Sequence, residues 1–283
     1  MKKALKKTNS ITAFRLSLMF LITLMMCGSA LAMDPLEPPA SDILKWQLQA
    51  GFEYSFSSMD IKLTNGSYIE ESTSQPTETG DAIDVDIENI DLDKLHLYFG
   101  FGIEKNFELF VRLGAARAEF ENDLLDPLGK FDSDYAPSIG GGLRMTFMED
   151  RNLKIGGVVQ ASWTKNTGKI TPSVFFSPSF ITMDMTEIQV ALGALYQWTD
   201  YISFYGGPFY RYVTGDFEDQ YIGYNNIGAY TINDKFTWDI ESNSDFGGYL
   251  GTQVELDKNF FLTCEYQMAS NADTLAAGVM LKY

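Results

Sequence analysis

Histidine is almost missing from this chain: His96 stands alone in 283 residues. Catalytic dyads that need an imidazole, and zinc sites that need clustered His and Cys, have little to draw on. Cysteine is equally scarce, with only Cys27 and Cys264. Bases are few as well, 21 Lys and Arg against 38 Asp and Glu, which argues against nucleic acid as a partner. Past the first 32 residues no apolar run approaches the roughly 20 residues that a spanning helix needs. Any membrane crossing must therefore use strands. No phosphate loop, zinc-ligand set or nucleotide fingerprint appears, since Gly140-Gly141-Gly142 falls inside a strand pattern. No cofactor and no metal are expected.

What is present begins with an export signature. Lys2, Lys3, Lys6, Lys7 and Arg15 precede an apolar run from Leu16 to Cys27, and Ala30-Leu31-Ala32 fits a small-residue cleavage site. The run is too short for a retained anchor, and Met26 stands where a lipoprotein signal before Cys27 would carry a small residue. Residues 1–32 are thus expected to be a cleaved signal peptide. Removal of those five bases lowers the 21 Lys and Arg to 16 against 38 acids, a net charge near −22. It also leaves Cys264 without an intramolecular partner. Residues 33–44 read as a short periplasmic segment, too few for a plug, and 45–283 as the folded domain.

Period-two alternation dominates that domain, in ten segments near 45–56, 94–104, 107–119, 135–147, 152–163, 186–198, 201–213, 245–256, 259–268 and 274–283. Tight turns are expected near Lys105-Asn106, Glu149 to Arg151, Thr199-Asp200 and Asp257-Lys258, while long polar loops follow the odd-numbered segments. Trp46, Phe107, Phe147, Trp198, Tyr201, Phe260 and Tyr283 fall at the short-turn ends. Phe56, Phe120, Tyr135, Trp163, Tyr212, Phe246 and Tyr266 fall toward the loops, so two aromatic belts are expected. The second face of the strands is rich in glycine, which suits a confined interior better than a solvated surface. Pro208 and Pro137 interrupt two segments, where bulges are expected.

The last segment sets Leu275, Ala277, Val279, Leu281 and Tyr283 against Thr274, Ala276, Gly278, Met280 and Lys282. It resembles the closing strand of bacterial outer-membrane β-barrels, although that family usually ends in Phe. The resemblance implies an all-β, antiparallel, up-and-down transmembrane barrel of about ten strands, with eight as the alternative count. It further implies the outer membrane of a Gram-negative bacterium, both termini periplasmic, lipid and lipopolysaccharide as surroundings, and an assembly machinery that recognises Val279, Leu281 and Tyr283. Omptin proteases resemble this chain in strand number, but His96 lies on the second segment, whereas the omptin Asp-His pair belongs later in the chain. Unlike OmpA-type proteins, the chain is expected to carry no peptidoglycan-binding domain.

Candidate sites follow from the interior phase. Glu53, Glu104, Glu108, Glu187, Glu255 and Glu265 face Lys45, Arg112, Arg144, Lys154, Arg211 and Lys282, with His96 among them. A charge-balanced network filling a small lumen is expected, because an unpaired buried charge costs several kcal/mol. The loop from Ser57 to Asp91 is acidic and reads as solvated. In the loop from Thr214 to Ser244, Tyr221, Tyr224, Tyr230, Phe236 and Trp238 suit either a surface for an extracellular ligand or packing between extended hairpins. The expected function is a non-catalytic, porin-like or surface-structural barrel. The alternatives are a loop-mediated adhesin or receptor and a rim enzyme using His96.

Overall fold

A computed structural model describes residues 33–41, 43–72, 75–121, 130–170, 179–224, 231–241 and 245–283, and of these 75, 222–224 and 231–232 by backbone alone. The described residues contain thirteen strands and no helix: β1 (Leu48–Ser72), β2 (Gln75–Asp81), β3 (Val85–Glu104), β4 (Phe107–Glu121), β5 (Lys130–Ser133), β6 (Ala136–Asp150) and β7 (Leu153–Ile170), followed by β8 (Ser179–Gln197), β9 (Ile202–Tyr224), β10 (Thr231–Glu241), β11 (Asp245–Asp257), β12 (Phe260–Ala269) and β13 (Ala272–Lys282). Every pairing is antiparallel. Ten strands close a ring in the order β1, β3, β4, β6, β7, β8, β9, β11, β12, β13 and back to β1. Each of the ten alternating segments forms one of these strands. Their tight connections at 105–106, 151–152, 198–201 and 258–259 share one rim, with Asn106 and Arg151 at positive φ.

Above this ring the barrel narrows. β5 takes the place of β6 between β4 and β7, and β10 takes the place of β11 to β13 between β9 and β1. The upper ring therefore has eight strands, β1, β3, β4, β5, β7, β8, β9 and β10. The ten strands expected for the barrel are found, and both proline-bearing segments belong to the ring.

Polarity inverts at the junction while the phase of the strand is kept. On β1 the inward positions run Gln49, Gly51, Glu53, Ser55, Ser57 and then Met59, Ile61, Leu63. Phe52 and Tyr54 face outward below, and Asp60 and Lys62 face outward above. On β3 the inward sequence Ile90, Leu92 is followed in the same phase by Lys94, His96 and Tyr98, while above it a bulge at Asn89 shifts the inward phase to Val85 and Ile87. The lower barrel is apolar outside and polar inside, as a strand in lipid requires; the upper barrel is apolar inside and polar outside, as a strand in water requires.

The solvated loop expected at 57–91 is thus corrected, and of the two readings of 214–244 the packing between extended hairpins is the one found. Both stretches are largely extended hairpins, whose alternation was hidden because the apolar residues had changed sides. Phe120, expected in the outer belt, is 2% exposed inside the upper barrel and lies 4.7 Å from Phe131 and 6.3 Å from Phe217. Pro208 needs no bulge. Its ladder with β8 omits Leu192 and Gly193 and resumes in the same register, with Ala191 opposite Phe209 and Ala194 opposite Gly206.

Candidate functional site

The lumen of the lower barrel is occupied by the chain's own residues 33–41. Met33, Leu36 and Ile43 are fully buried, and so, within a few per cent, are Asp34, Glu37, Ala40 and Ser41. This corrects the expectation of a periplasmic segment too short to plug. Nine residues reach at most about 30 Å when fully extended, and Glu37 at φ 59° together with the bend at 39–40 shortens this path. Pro35, Pro38 and Pro39 suit such a path, because each removes an amide that would otherwise need a partner away from any sheet.

Several of the remaining backbone groups are met by the barrel wall. The Leu36 amide donates to Glu265 at 2.8 Å. The Asp34 carbonyl accepts from Gln267 at 2.9 Å, and the Pro35 carbonyl from Arg112 at 2.8 Å. Near the short-turn rim the Ser41 carbonyl accepts from Thr146 at 2.9 Å, and the Ile43 carbonyl accepts from the Asn106 amide at 3.2 Å. Gly156 leaves room for the segment, since a Cβ there would stand 2.4 Å from the Pro39 carbonyl oxygen.

Charges complete the seat. Asp34 meets Lys94 at 2.9 Å, Lys94 meets Glu187 at 3.2 Å, and Glu187 meets Arg211 at 3.0 Å. Glu37 meets Arg144 at 2.6 Å, and Arg144 meets Glu108 at 3.0 Å. Arg112 holds Glu53 at 2.6 Å, its guanidinium 4.8 Å from the Phe110 ring. Buried wall charges of this level balance, Glu53, Glu108, Glu187 and Glu265 against Lys94, Arg112, Arg144 and Arg211. The balance expected for the whole interior does not hold, because Asp34 and Glu37 of the plug and Asp219 and Asp245 higher up add four acids. Lys94 was missed from sequence because it sits at the polarity switch; Asp34 and Glu37 were missed because no periodicity ties them to the lumen.

Five of the expected lumenal charges lie outside this network. Lys45 and Glu104 pair with each other, largely exposed, at the short-turn rim. Lys154 meets Glu149 at 3.3 Å beside the 151–152 turn. Glu255 and Lys282 are half-buried near the same rim, with Lys282 Nζ 4.4 Å from the Phe261 ring centroid. Val279, Leu281 and Tyr283 face outward and are exposed.

His96 is 1% exposed and its Nε2 lies 2.9 Å from Ser138 Oγ. A Ser beside a His is the beginning of a nucleophile and base, yet Ser138 is fully buried and Asp34 is engaged by Lys94. A cavity beside the plug is lined by Glu37, Ser41, Glu108, Arg144, Gln253 and Lys282 and touches neither residue of the pair. Among the loop aromatics, Trp238 is 6% exposed, stacks 5.7 Å from Phe236, lies 5.9 Å from Phe217 and donates its Nε1–H to the Ile83 carbonyl at 3.0 Å. Trp238 belongs to the upper core and, with Phe217, also lines an open cavity walled by Asn65, Lys165, Asp184 and Asp239, while Phe236 packs against that core. Tyr221 is half-buried on β9, Tyr224 is described by its backbone alone, and Tyr230 lies outside the described residues.

A family model described as "Outer membrane protein beta-barrel domain" matches residues 104–280. Among solved structures, the outer-membrane protease OmpT from Escherichia coli is 9% identical, with 89% of this chain and 99% of that chain covered and a TM-score of 0.45. The translocator domain of the autotransporter NalP from Neisseria meningitidis is 9% identical, with 98% and 97% covered and a TM-score of 0.42. Ail, the attachment invasion locus protein of Yersinia pestis, is 9% identical, with 85% and 100% covered and a TM-score of 0.31. No curated protein matches. None of these likenesses bears on activity.

Proposed function

Because this chain belongs to the family of outer-membrane proteins built on a β-barrel domain, we propose that it is a closed, non-catalytic surface barrel that holds a rigid extracellular extension above the membrane. One observation carries the reading: residues 33–41 thread the polar lumen directly beneath an upper ring packed with inward apolar side chains. A solute path would have to breach two seals in series, one charged and one apolar. Catalysis at His96 finds no support, since the residue is buried behind both.

In this reading the short-turn rim, with Trp46, Trp198, Tyr201 and Tyr283 exposed on its outer side, faces the periplasm. The upper barrel then projects outward, lipid and lipopolysaccharide surround the lower apolar band, and Val279, Leu281 and Tyr283 are available to the assembly machinery. Liposomes containing the refolded protein should swell no faster in a small sugar such as arabinose than empty ones. Sustained swelling would overturn the closed reading.

A second reading, adhesion or reception, draws on the outer face of the extension. Asp60, Asp86, Glu88 and Asp216 are exposed there on strands that run on from the lower barrel, and Asp239 and Glu241 on β10 beside them. The 15 residues of β1 from Ser58 to Ser72 offer roughly 50 Å of strand. Such a surface favours a cationic partner over a polyanion. Neutralising Asp216, Asp239 and Glu241 together should remove binding of a cationic partner such as polylysine with the barrel intact; unchanged binding would exclude this face.

A further inference from the structure

Met33 is fully buried, and its nitrogen donates to Thr274 Oγ1 at 2.5 Å. Thr274 is itself fully buried on β13, opposite Ser57 on β1 and Gln267 on β12. The Met33 side chain joins the apolar cluster that includes Met59 and Ala272, at the floor of the upper barrel. The segment thus rises from Ile43 at the short-turn rim to Met33, where it meets packed apolar side chains.

A chain continuing upstream from that point would have to find a route for Lys2, Lys3, Lys6, Lys7 and Arg15. Burying such cations without partners costs several kcal/mol each. A free amino group replaces those five charges by one. It is small, it keeps the donor that Thr274 receives, and its positive charge enters an interior where carboxylates outnumber bases.

We propose that Met33 is the first residue of the mature protein and that its α-amino group, released when the Ala32–Met33 bond is cut, is the latch that ends the plug at Thr274. The reaction is hydrolysis by an export-associated signal peptidase: water adds across the amide, leaving a carboxylate on Ala32 and an amine on Met33. Processing then completes the seal, because the plug ends at Met33 only after cleavage. The inference rests on the closed-barrel reading and adds to it a defined start and a defined anchor.

Protein isolated from outer membranes should have the intact mass of Met33 to Tyr283, and any other first residue would overturn the proposal. Reductive methylation of the folded barrel should spare the Met33 amine and modify it after boiling in SDS; equal modification before and after would also overturn it. Thr274→Val should make that amine react at least tenfold faster in the folded protein, whereas Thr274→Ser should keep it protected. An unchanged rate in Thr274→Val would remove the latch. Conductance in a barrel whose Met33 amine stays protected would count against the closed reading and for the latch, so the two fail separately.

Discussion

Arg112 and Glu53 meet at 2.6 Å in the lumen, each only 1% exposed, and the same guanidinium carries the Pro35 carbonyl at 2.8 Å. One side chain on β4 thereby joins a wall carboxylate on β1 to the plug. Removing it should strand Glu53 in a place without water. Arg112→Met is expected to lower barrel stability by about 3–5 kcal/mol, the usual cost of leaving a buried partner uncompensated. Heat-modifiability on SDS gels reads this as a lower unfolding temperature, and a second change, Glu53→Gln, should restore much of it. An unshifted transition in Arg112→Met would mean the pair is not structural.

Trp238 gives a contrasting expectation. Its burial against Phe217 and Phe236 makes Trp238→Ala a cavity mutation, expected to cost about 3–5 kcal/mol, localised to the upper ring. Limited proteolysis should cut within 214–241 while the lower barrel stays heat-modifiable. Unchanged protease resistance would contradict the packed upper core.

The lower barrel was legible in the sequence because most of its strands obey one rule, apolar out and polar in, with Tyr205, Phe209 and Tyr249 turned inward on β9 and β11 among the exceptions. The upper barrel was not, because Met59, Ile61 and Leu63 continue the inward phase of Glu53 and Ser55 with the opposite chemistry. A search for one constant face sees the end of a strand where the strand in fact leaves lipid for water. The wall pairs of Arg112, Arg144 and Arg211 followed from that phase, but their plug partners Asp34 and Glu37 did not. A segment with three prolines among residues 33–39 carries no period; its only sequence signal is the lack of amides that need partners.

Gly156 tests the plug sterically. A side chain there would meet the Pro39 carbonyl oxygen and the Ala40 Cα, which would be 2.9 Å from the new Cβ. Gly156→Leu should therefore displace the segment; because the new Cβ would also stand 2.6 Å from the Met145 carbonyl oxygen on β6, retained heat-modifiability is the check that the ring stays folded. With Leu36→Cys as reporter in a Cys264→Ser background, maleimide labelling of the folded protein should be absent with Gly156 and rapid with Leu. Equal labelling would place the segment elsewhere.

At the upper end, Glu70 stands opposite Asp234 on β10 and opposite Glu78 on β2. Opposed like charges weaken a ladder. Partial burial, and then the nearby Glu70, raise the Asp234 carboxyl above its ordinary range. A raised acid favours the folded state while protonated, so its contribution is present at acid pH and is lost as pH rises through the folded pKa. Hydrogen exchange of β10 amides, corrected for intrinsic rate, should show more protection near pH 4 than at pH 7. Asp234→Asn should flatten that dependence. A flat wild-type profile would contradict the assignment.

Single-channel recording in planar bilayers bears most directly on the two seals in series. The intact protein is expected to give no steps, and Gly156→Leu and Trp238→Ala singly should also stay silent, because each leaves one seal in place. Only the double variant should conduct. Large, stable steps from the intact protein, or from either single variant, would contradict a barrel closed twice.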